Sequence, residues 1–179
     1  MPATLADLPT FDPKTGEVFV VAETPKGSRN KYSYDEELGA FKLAAVLPEG
    51  TSFPFDFGFI PSTLGEDGDP LDVLVLLDTS VVMGCVLTVR LIGVIEAEQR
   101  ERNGKCVRND RLLSVATRAR THAHIHAADD LRPDLMAEVE EFFAHYNRLS
   151  GKEFIPIRRG GAEEARKVLE GGIAAFRNQ

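Results

Sequence analysis

The chain has 179 residues and an apolar fraction of 43%, which suits one globular domain with a hydrophobic core and is too short for two. Its net charge of -7 argues against nucleic acid and anionic membranes as partners, because both usually require a basic protein face. Two isolated cysteines, no apolar run of membrane-spanning length and no signal-peptide pattern lead us to expect a reduced, cytoplasmic protein with a single domain over residues 1–179.

The first part of the chain is predicted to form short strands. Residues 1–14 are rich in proline and predict an irregular arm. Residues 18–23 predict a strand that ends on Glu23, and residues 30–46 have the alternation and the central turn of a β-hairpin. The aromatic segment 53–59 cannot be helical, and we expect most of its phenylalanines to lie in the core.

A crowded acidic turn at residues 65–72 leads directly into an apolar strand at residues 73–77. Gly68 and Pro70 exclude a helix interior, so the turn is predicted to be tight and rigid. Its acidic residues are Glu66, Asp67, Asp69 and Asp72. Carboxylates this close repel one another unless cations neutralise them, and hard oxygen ligands on a rigid turn suit Mg²⁺. A solvated acidic loop is the alternative interpretation.

Further strands are predicted after the acidic turn. Residues 81–98 alternate in the manner of one long bent strand or two short ones, and residues 111–115 predict another strand. Asn103-Gly104 predicts a hairpin turn between them. Short strands at this spacing, without intervening helices, indicate a small barrel.

The last third of the chain changes to a helical period. A helix is predicted from Asp130 onward, with Asp129 or Asp130 as its N-cap, and a second one over residues 162–176. The apolar stripe of the first helix consists of Leu135, Val139, Phe142 or Phe143, Tyr146 and Leu149. The predicted fold class is therefore α+β, mainly β: a small closed β-barrel with hairpin excursions, flanked by one long and one C-terminal helix.

The spacing Asp67-x-Asp69-Pro70-x-Asp72, followed at once by a Val/Leu strand, resembles the signature of the soluble family I inorganic pyrophosphatases. The similarity can be followed from about Val18 to Tyr146. It implies an OB-like barrel, Mg²⁺-dependent hydrolysis of diphosphate, and a homo-oligomer, commonly a hexamer in bacterial members. It also implies that Asp67 and Asp72 coordinate metal and that Asp69 is the general base on the nucleophilic water.

Other residues match family motifs one by one. The resemblance implies that Glu23 is an acidic metal ligand at the end of an early strand. It implies phosphate-binding roles for Lys31 and for Tyr146. Arg111 falls where the family has a lysine, and a guanidinium group can take that role because it binds phosphate bidentately.

Two further metal ligands match the family less directly. Asn109-Asp110-Arg111 falls where the family has Asp-x-Lys, so the second metal-binding aspartate is either displaced to Asp110 or replaced by the neutral Asn109. Glu98 stands near another family aspartate, across a longer hairpin. On this basis Asp110 and Glu98 join Asp67, Asp72 and Glu23 as predicted metal ligands.

The chain also departs from the family at the phosphate-binding positions. Ala45, Ser33, Phe57 and Asn147 stand where the family has an arginine, a glutamate, a tyrosine and a lysine. The departures predict a divergent branch with a rebuilt set of phosphate-binding cations, and ordinary surface cations are the alternative interpretation. The candidates are Lys42, Lys152 and the pair Arg158 and Arg159, which we expect in a loop whose Gly160 and Gly161 would let backbone N–H groups approach an anion.

Alternating histidines give a second possible metal site. On a strand, His122, His124 and His126 would share one face at a spacing suited to metal binding. By the resemblance, however, this segment is peripheral and leads into the helix. We therefore favour a structural role for the three side chains.

Three other functions fit parts of the sequence. The altered phosphate-binding positions would also suit a hydrolase of another small phosphoanhydride or ester. A relative that binds metal or phosphate without catalysis would keep the acidic turn and lack enough cations. An oligonucleotide-binding barrel is the third alternative, and the net negative charge with no interleaved basic and aromatic residues argues against it.

Overall fold

The structure, a computed structural model, describes residues 4–179, and a closed ring of strands lies at its centre. Around the ring the order is β1 (Val18–Thr24), β4 (Asp56–Phe59), β5 (Asp72–Leu76), β8 (Arg111–Ala116) and β6 (Val86–Arg100). Pairing of β1 with β6 closes it. Only β5 and β8 pair in parallel, whereas the other ring pairs are antiparallel. The closed barrel predicted from the sequence is confirmed.

The remaining strands extend from this ring. β2 (Asn30–Asp35) and β3 (Ala40–Val46) form the predicted hairpin as a separate sheet. The far half of β6 pairs with β7 (Cys106–Arg108) across the predicted Asn103-Gly104 turn and with β9 (Glu153–Gly161). β6 is one long strand with register shifts at two bulges, which decides between the two alternatives for residues 81–98.

The prediction of a loop around Arg158 and Arg159 is wrong, because these residues belong to β9. Arg158 is bound to Glu96 at 2.7 Å and Arg159 to Glu140 at 2.8 Å. The backbone N–H of Gly161 donates to Glu164 at 2.9 Å. The β6–β9 ladder and these carboxylates therefore take up the groups that the sequence suggested for anion binding.

The two predicted helices are present as α1 (Leu135–Leu149) and α2 (Ala162–Arg177). The predicted start of α1 is wrong, because Pro133 disfavours helical geometry at Arg132 and the helix begins only after Asp134. Asp130 instead accepts hydrogen bonds from the N–H groups of His126 and Ala127 at 2.8 and 3.0 Å, at a short 3-10 turn, Ala128–Asp130. At the far end of α1, Leu149 of the predicted stripe is exposed.

Helix α2 continues through Gly171 and Gly172, although glycine has a low helix propensity. The packing explains Gly172, since a Cβ atom there would lie 2.5 Å from Cδ1 of Leu71, just before β5. Glycine at this position therefore lets α2 lie close to the end of the acidic turn. Neither α-helix in the described part of the chain is long and apolar enough to cross a membrane.

The histidine segment and the described part of the N-terminal arm are both irregular in the structure. Residues 121–124 form a turn and residues 125 and 126 are irregular, so this segment is not a strand, and the backbone carbonyls of His122 and Ile125 accept hydrogen bonds from Arg90. The histidines therefore do not share a strand face. Of the predicted N-terminal arm, residues 1–3 lie outside the described range, and the rest contains a 3-10 turn, Leu5–Asp7, and a bridge from Phe11 to Val18.

The apolar core fills the barrel and continues to α1. Leu74 of β5 and Leu112 of β8 are completely buried, and α1 contributes Val139 and Phe143 to the same core. Burying a side chain of this size stabilises the fold by about 1.5–3 kcal/mol relative to leaving it exposed. This packing fixes α1 opposite the acidic turn, so the two elements face each other across an open cavity.

Candidate active site

The acidic turn is held by hydrogen bonds among its own residues. The N–H of Asp69 donates to Oδ1 of Asp67 at 3.2 Å, and the N–H of Gly65 donates to the carbonyl of Asp69 at 2.7 Å. Strand β5 begins at Asp72 immediately after the turn. The carboxylates of Asp67, Asp69 and Asp72 all line one cavity of about 380 Å³, called the central cavity below. The predicted turn and the strand that follows it thus place these three carboxylates at the same cavity.

Glu23 and Lys31 form a buried pair beside this turn. Glu23 lies near the end of β1 and is 6% exposed, and one of its oxygens accepts a hydrogen bond from the N–H of Tyr34 at 2.7 Å. Nζ of Lys31 lies 3.3 Å from the other oxygen and 4.5 Å from the ring centroid of Phe57. Lys31 lines both the central cavity and an adjoining cavity that contains Glu23, Asp69 and Asp72.

Arg111 crosses the floor of the central cavity. Its Nη1 lies 2.6 Å from Oδ2 of Asp72, and its guanidinium carbon lies 4.8 Å from the ring centroid of Phe143. The residue is 4% exposed, and its Nε is a buried donor without a hydrogen-bond partner among residues 4–179. An ionised group that is buried, paired and stacked in this way is fixed in place before any ligand arrives.

A chain of polar side chains runs from Arg111 along the opposite wall. Arg111 donates to Oδ1 of Asn109, and Asn109 donates to Gln99 at 3.3 Å. Gln99 donates to Glu101 at 2.5 Å, and Glu101 is paired with Nζ of Lys152 at 3.0 Å. All five side chains line the central cavity. The wall opposite the acidic turn is therefore built from neutral amides and ion-paired charges.

The structure brings together most of the site residues predicted from the sequence. Those lining the central cavity are Asp67, Asp69, Asp72, Lys31, Arg111 and Tyr146, and Glu23 lines the adjoining one. Asn147, Ser33 and Phe57 also line the central cavity, so the positions that depart from the family are part of its wall. On β3 it is Ala44, next to the predicted Ala45, that lines the cavity, because β2 and β3 change register between Lys31 and Tyr32.

Glu98 and Asp110 lie elsewhere. Asp110 accepts hydrogen bonds from the N–H of Ala97 at 2.9 Å and from Nε of Arg108 at 2.6 Å, and it lines a neighbouring cavity behind the acidic turn. Glu98 is the neighbour of Gln99 on β6, and side chains alternate between the two faces of a strand. Neither carboxylate lines the central cavity. Their predicted role as metal ligands stays a prediction.

Gln99 and Glu101 were missed by the sequence reasoning. The signal was the strand period, because side chains two apart share a face. Glu101 and Gln99 are two residues apart, so on a strand they share one face and Glu98 lies on the other. In the same way Arg111 and Asn109 share a face that excludes Asp110. That count would have favoured Gln99 and Asn109 as cavity residues.

Crowding and burial perturb the carboxyl groups of the turn. Burial, then the neighbouring charges of Asp72 and Asp69, raises the pKa of Asp67 to about 6. Burial and the charge of Asp72 raise the pKa of Asp69, against which the ammonium groups of Lys31 and Lys152 act. Burial also raises the pKa of Glu23. All these groups hold protons more strongly than free carboxyl groups, as expected where cations are needed to balance the charge.

We expect this crowding to make the metal-free protein more stable at pH 5.5 than at pH 7.5. The folded state holds a proton on Asp67 up to about pH 6, whereas the pKa of a free aspartate side chain is 3.8, so stability falls as pH rises through this window. Carboxylates with lowered pKa, such as Glu96 and Asp130, lose their contribution only at lower pH.

The melting temperature in a metal chelator measures this effect. Because Asp67 stays open to the cavity, we expect a rise of only about 2–4 °C on acidification. Saturating Mg²⁺ or Asp67→Asn should remove most of the rise. A melting temperature in chelator that falls between pH 7.5 and pH 5.5 would contradict the assignment.

The donor set suits a divalent metal. Among residues 4–179 no three His, Cys, Asp or Glu side chains converge closely enough to hold an ion by themselves. Mg²⁺ usually binds through one or two carboxylates together with water and substrate phosphate, rather than in an all-protein cage. The carboxylates of Asp67, Asp69 and Asp72, aimed into one cavity wide enough for a ligand, fit that mode of binding.

Comparisons with known proteins agree with this geometry. A family model described as inorganic pyrophosphatase matches residues 20–177. The inorganic pyrophosphatase of Corynebacterium glutamicum is 43% identical over 159 residues, which cover 88% of this chain and 97% of the relative. That of Thermus thermophilus is 38% identical over 168 residues, with coverage of 94% and 93%. The crystal structure of a Thermus thermophilus inorganic pyrophosphatase superposes with a TM-score of 0.87 at 36% identity, covering 98% of this chain and 99% of that one.

Proposed function

This chain belongs to the inorganic pyrophosphatase family, and from this premise we propose that it hydrolyses inorganic diphosphate to two phosphate ions, with Asp69 as the general base. The observation that carries the proposal is the convergence of Asp67, Asp69 and Asp72 on the same cavity as Lys31 and Arg111. Carboxylates that bind metal and cations that bind phosphate are the two sets of groups that phosphoryl transfer requires.

Each residue has a distinct task. Asp69 receives or orients the proton of the attacking water, for which its raised pKa is suited because a base works best when its pKa approaches the working pH. Lys31, Arg111 and Tyr146 bind the phosphate that departs. Arg111 is already fixed by Asp72 and Phe143, so binding phosphate costs it little reorganisation.

The family is metal-dependent, and we propose Mg²⁺ as the metal. Asp67, Asp72 and Glu23 would hold it, with water and substrate oxygens completing the coordination. When bound, divalent ions neutralise the phosphoryl oxygens and lower the pKa of a coordinated water. Asp110 and Glu98 complete the proposed ligand set; Oδ1 of Asp110 accepts hydrogen bonds from the N–H of Ala97 and Nε of Arg108, so Oδ2 would be its metal-binding oxygen.

The test is release of phosphate from diphosphate by the purified protein, with Mg²⁺ and with a metal chelator. We expect turnover that depends on Mg²⁺, because the cavity carboxylates would otherwise repel the anionic substrate. Folded protein that binds Mg²⁺ and diphosphate but releases no phosphate would overturn the proposal and indicate a non-catalytic relative.

A second substrate class is favoured by one feature of the cavity. Ser33, Ala44 and Phe57 give its wall small and apolar surfaces beside the acidic turn. A phosphoanhydride or phosphate ester with an organic group could lie against them. Comparing kcat/KM for diphosphate, a nucleoside diphosphate and an acyl phosphate would separate the two functions, and a higher value for either organic substrate would favour the second.

The remaining expectations rest on family membership. We propose that residues 1–179 act as one cytoplasmic domain and that copies assemble into a homo-oligomer, with a hexamer as the specific expectation. The family match over residues 20–177 supports the single domain. Light scattering on the purified protein tests the assembly, and a monomer at micromolar concentration would refute it.

A further inference from the structure

Four cations were candidates to replace the phosphate-binding arginine and lysine that this chain lacks, and the structure separates them. Arg158 and Arg159, both on β9, form ion pairs with Glu96 of β6 and Glu140 of α1. Lys42 is paired with Asp35 at 2.7 Å and lies outside the central cavity. Lys152 alone of the four lines that cavity.

The end of helix α1 places Lys152 there. Gly151 adopts a φ of +72°, a left-handed conformation that only glycine accepts readily, and it turns the chain back after the helix. The N–H of Lys152 then donates to the carbonyl of Asn147 at 2.9 Å, which fixes the backbone beside the cavity. The turn is held on its other side by Nε of Arg102, which donates to the carbonyl of Ser150 at 2.7 Å.

The ammonium group is oriented but not saturated. Nζ of Lys152 lies 3.0 and 3.4 Å from the two oxygens of Glu101. Lysine has three donors, so hydrogen-bonding capacity remains for a ligand in the cavity. The side chain is 35% exposed and lines the same cavity as Lys31 and Asp69. The cavity that holds Asp69 is therefore lined by two lysines, one on β2 and one beyond α1.

We propose that Lys152 is a phosphate-binding residue of the central cavity, where its ammonium group binds a phosphoryl oxygen of the substrate and so supplies one of the cations missing at Ala45 and Asn147. This inference rests on the proposed function, because it concerns binding of the same substrate.

Binding of imidodiphosphate, a diphosphate analogue resistant to hydrolysis, tests the proposal without requiring turnover. We expect Lys152→Met to weaken its binding in Mg²⁺ by about 10- to 100-fold, the range for losing a hydrogen bond to a charged group. Lys152→Arg should retain most of the affinity because it keeps the charge. The control is Lys167→Met, which removes an ion-paired lysine of α2 that does not line the central cavity, and this variant should bind normally.

Two outcomes would overturn the proposal. One is normal binding by the Lys152→Met protein. The other is an equal loss in Glu101→Gln, which keeps the ammonium group and breaks only its ion pair, and would show that Lys152 matters through that ion pair rather than as a phosphate ligand. If the unaltered protein binds imidodiphosphate through Lys152 but releases no phosphate from diphosphate, the proposed catalysis fails while this inference stands.

Discussion

The Asp69→Asn protein is expected to lose about 10²–10⁴-fold in diphosphate turnover, the usual contribution of a general base. Asparagine has nearly the size of aspartate, and the backbone hydrogen bonds that shape the turn involve the N–H and carbonyl of residue 69 rather than its side chain. The turn should therefore keep its form. Asp67 and Asp72 keep their carboxylates, so binding of metal and substrate should change far less than turnover.

Phosphate release under saturating Mg²⁺ and diphosphate measures the loss, and calorimetric titration with imidodiphosphate checks that binding persists. Asp134→Asn is a matched control, because Asp134 is an exposed carboxylate before α1 whose side chain makes no capping hydrogen bond. Near-normal turnover by the Asp69→Asn protein would show that Asp69 is not the general base. Loss of turnover together with loss of Mg²⁺ binding would instead assign Asp69 to the metal.

The parts of the fold that were predictable from sequence are those set by local chemistry. Asn103-Gly104 makes a hairpin because both residue types tolerate the backbone angles of a tight turn. The acidic turn could be located because Gly68 and Pro70 exclude other structures there. Two helices followed from their periodic apolar residues. Family resemblance added which side chains meet, since pairings between distant strands, such as β5 with β8, leave little local trace.

What the sequence did not predict depended on strand phase and on the partners of charged groups. The sequence left open whether Asp110 or Asn109 takes the place of the family's aspartate; in the structure Asn109 lines the central cavity and Asp110 is bound to Arg108. Strand β9 was taken for a loop because its glycines resemble loop residues, whereas pairing with β6 makes it a strand. Such outcomes are decided by neighbours far away in the chain.

The second large effect is expected at Arg111. Replacing it with methionine keeps much of its apolar contact with Phe143 but leaves the carboxylate of Asp72 without its partner at 2.6 Å. Removing one member of a buried ion pair typically costs about 3–5 kcal/mol, and we expect the lower end because Asp72 is partly open to the cavity. Urea unfolding in a metal chelator measures this loss in the free energy of unfolding.

Mg²⁺ should then restore part of the stability of Arg111→Met, because a cation bound by Asp67 and Asp72 takes over the charge compensation that the guanidinium group provided. Activity should not return, since the phosphate loses its bidentate ligand. Arg159→Met is the control: its pair with Glu140 is at the surface, so its loss should cost less than about 1 kcal/mol and be insensitive to Mg²⁺. A cost at Arg111 that is equally small in chelator would mean that Asp72 does not depend on this partner, and that metal and substrate alone hold the cavity's charges in balance.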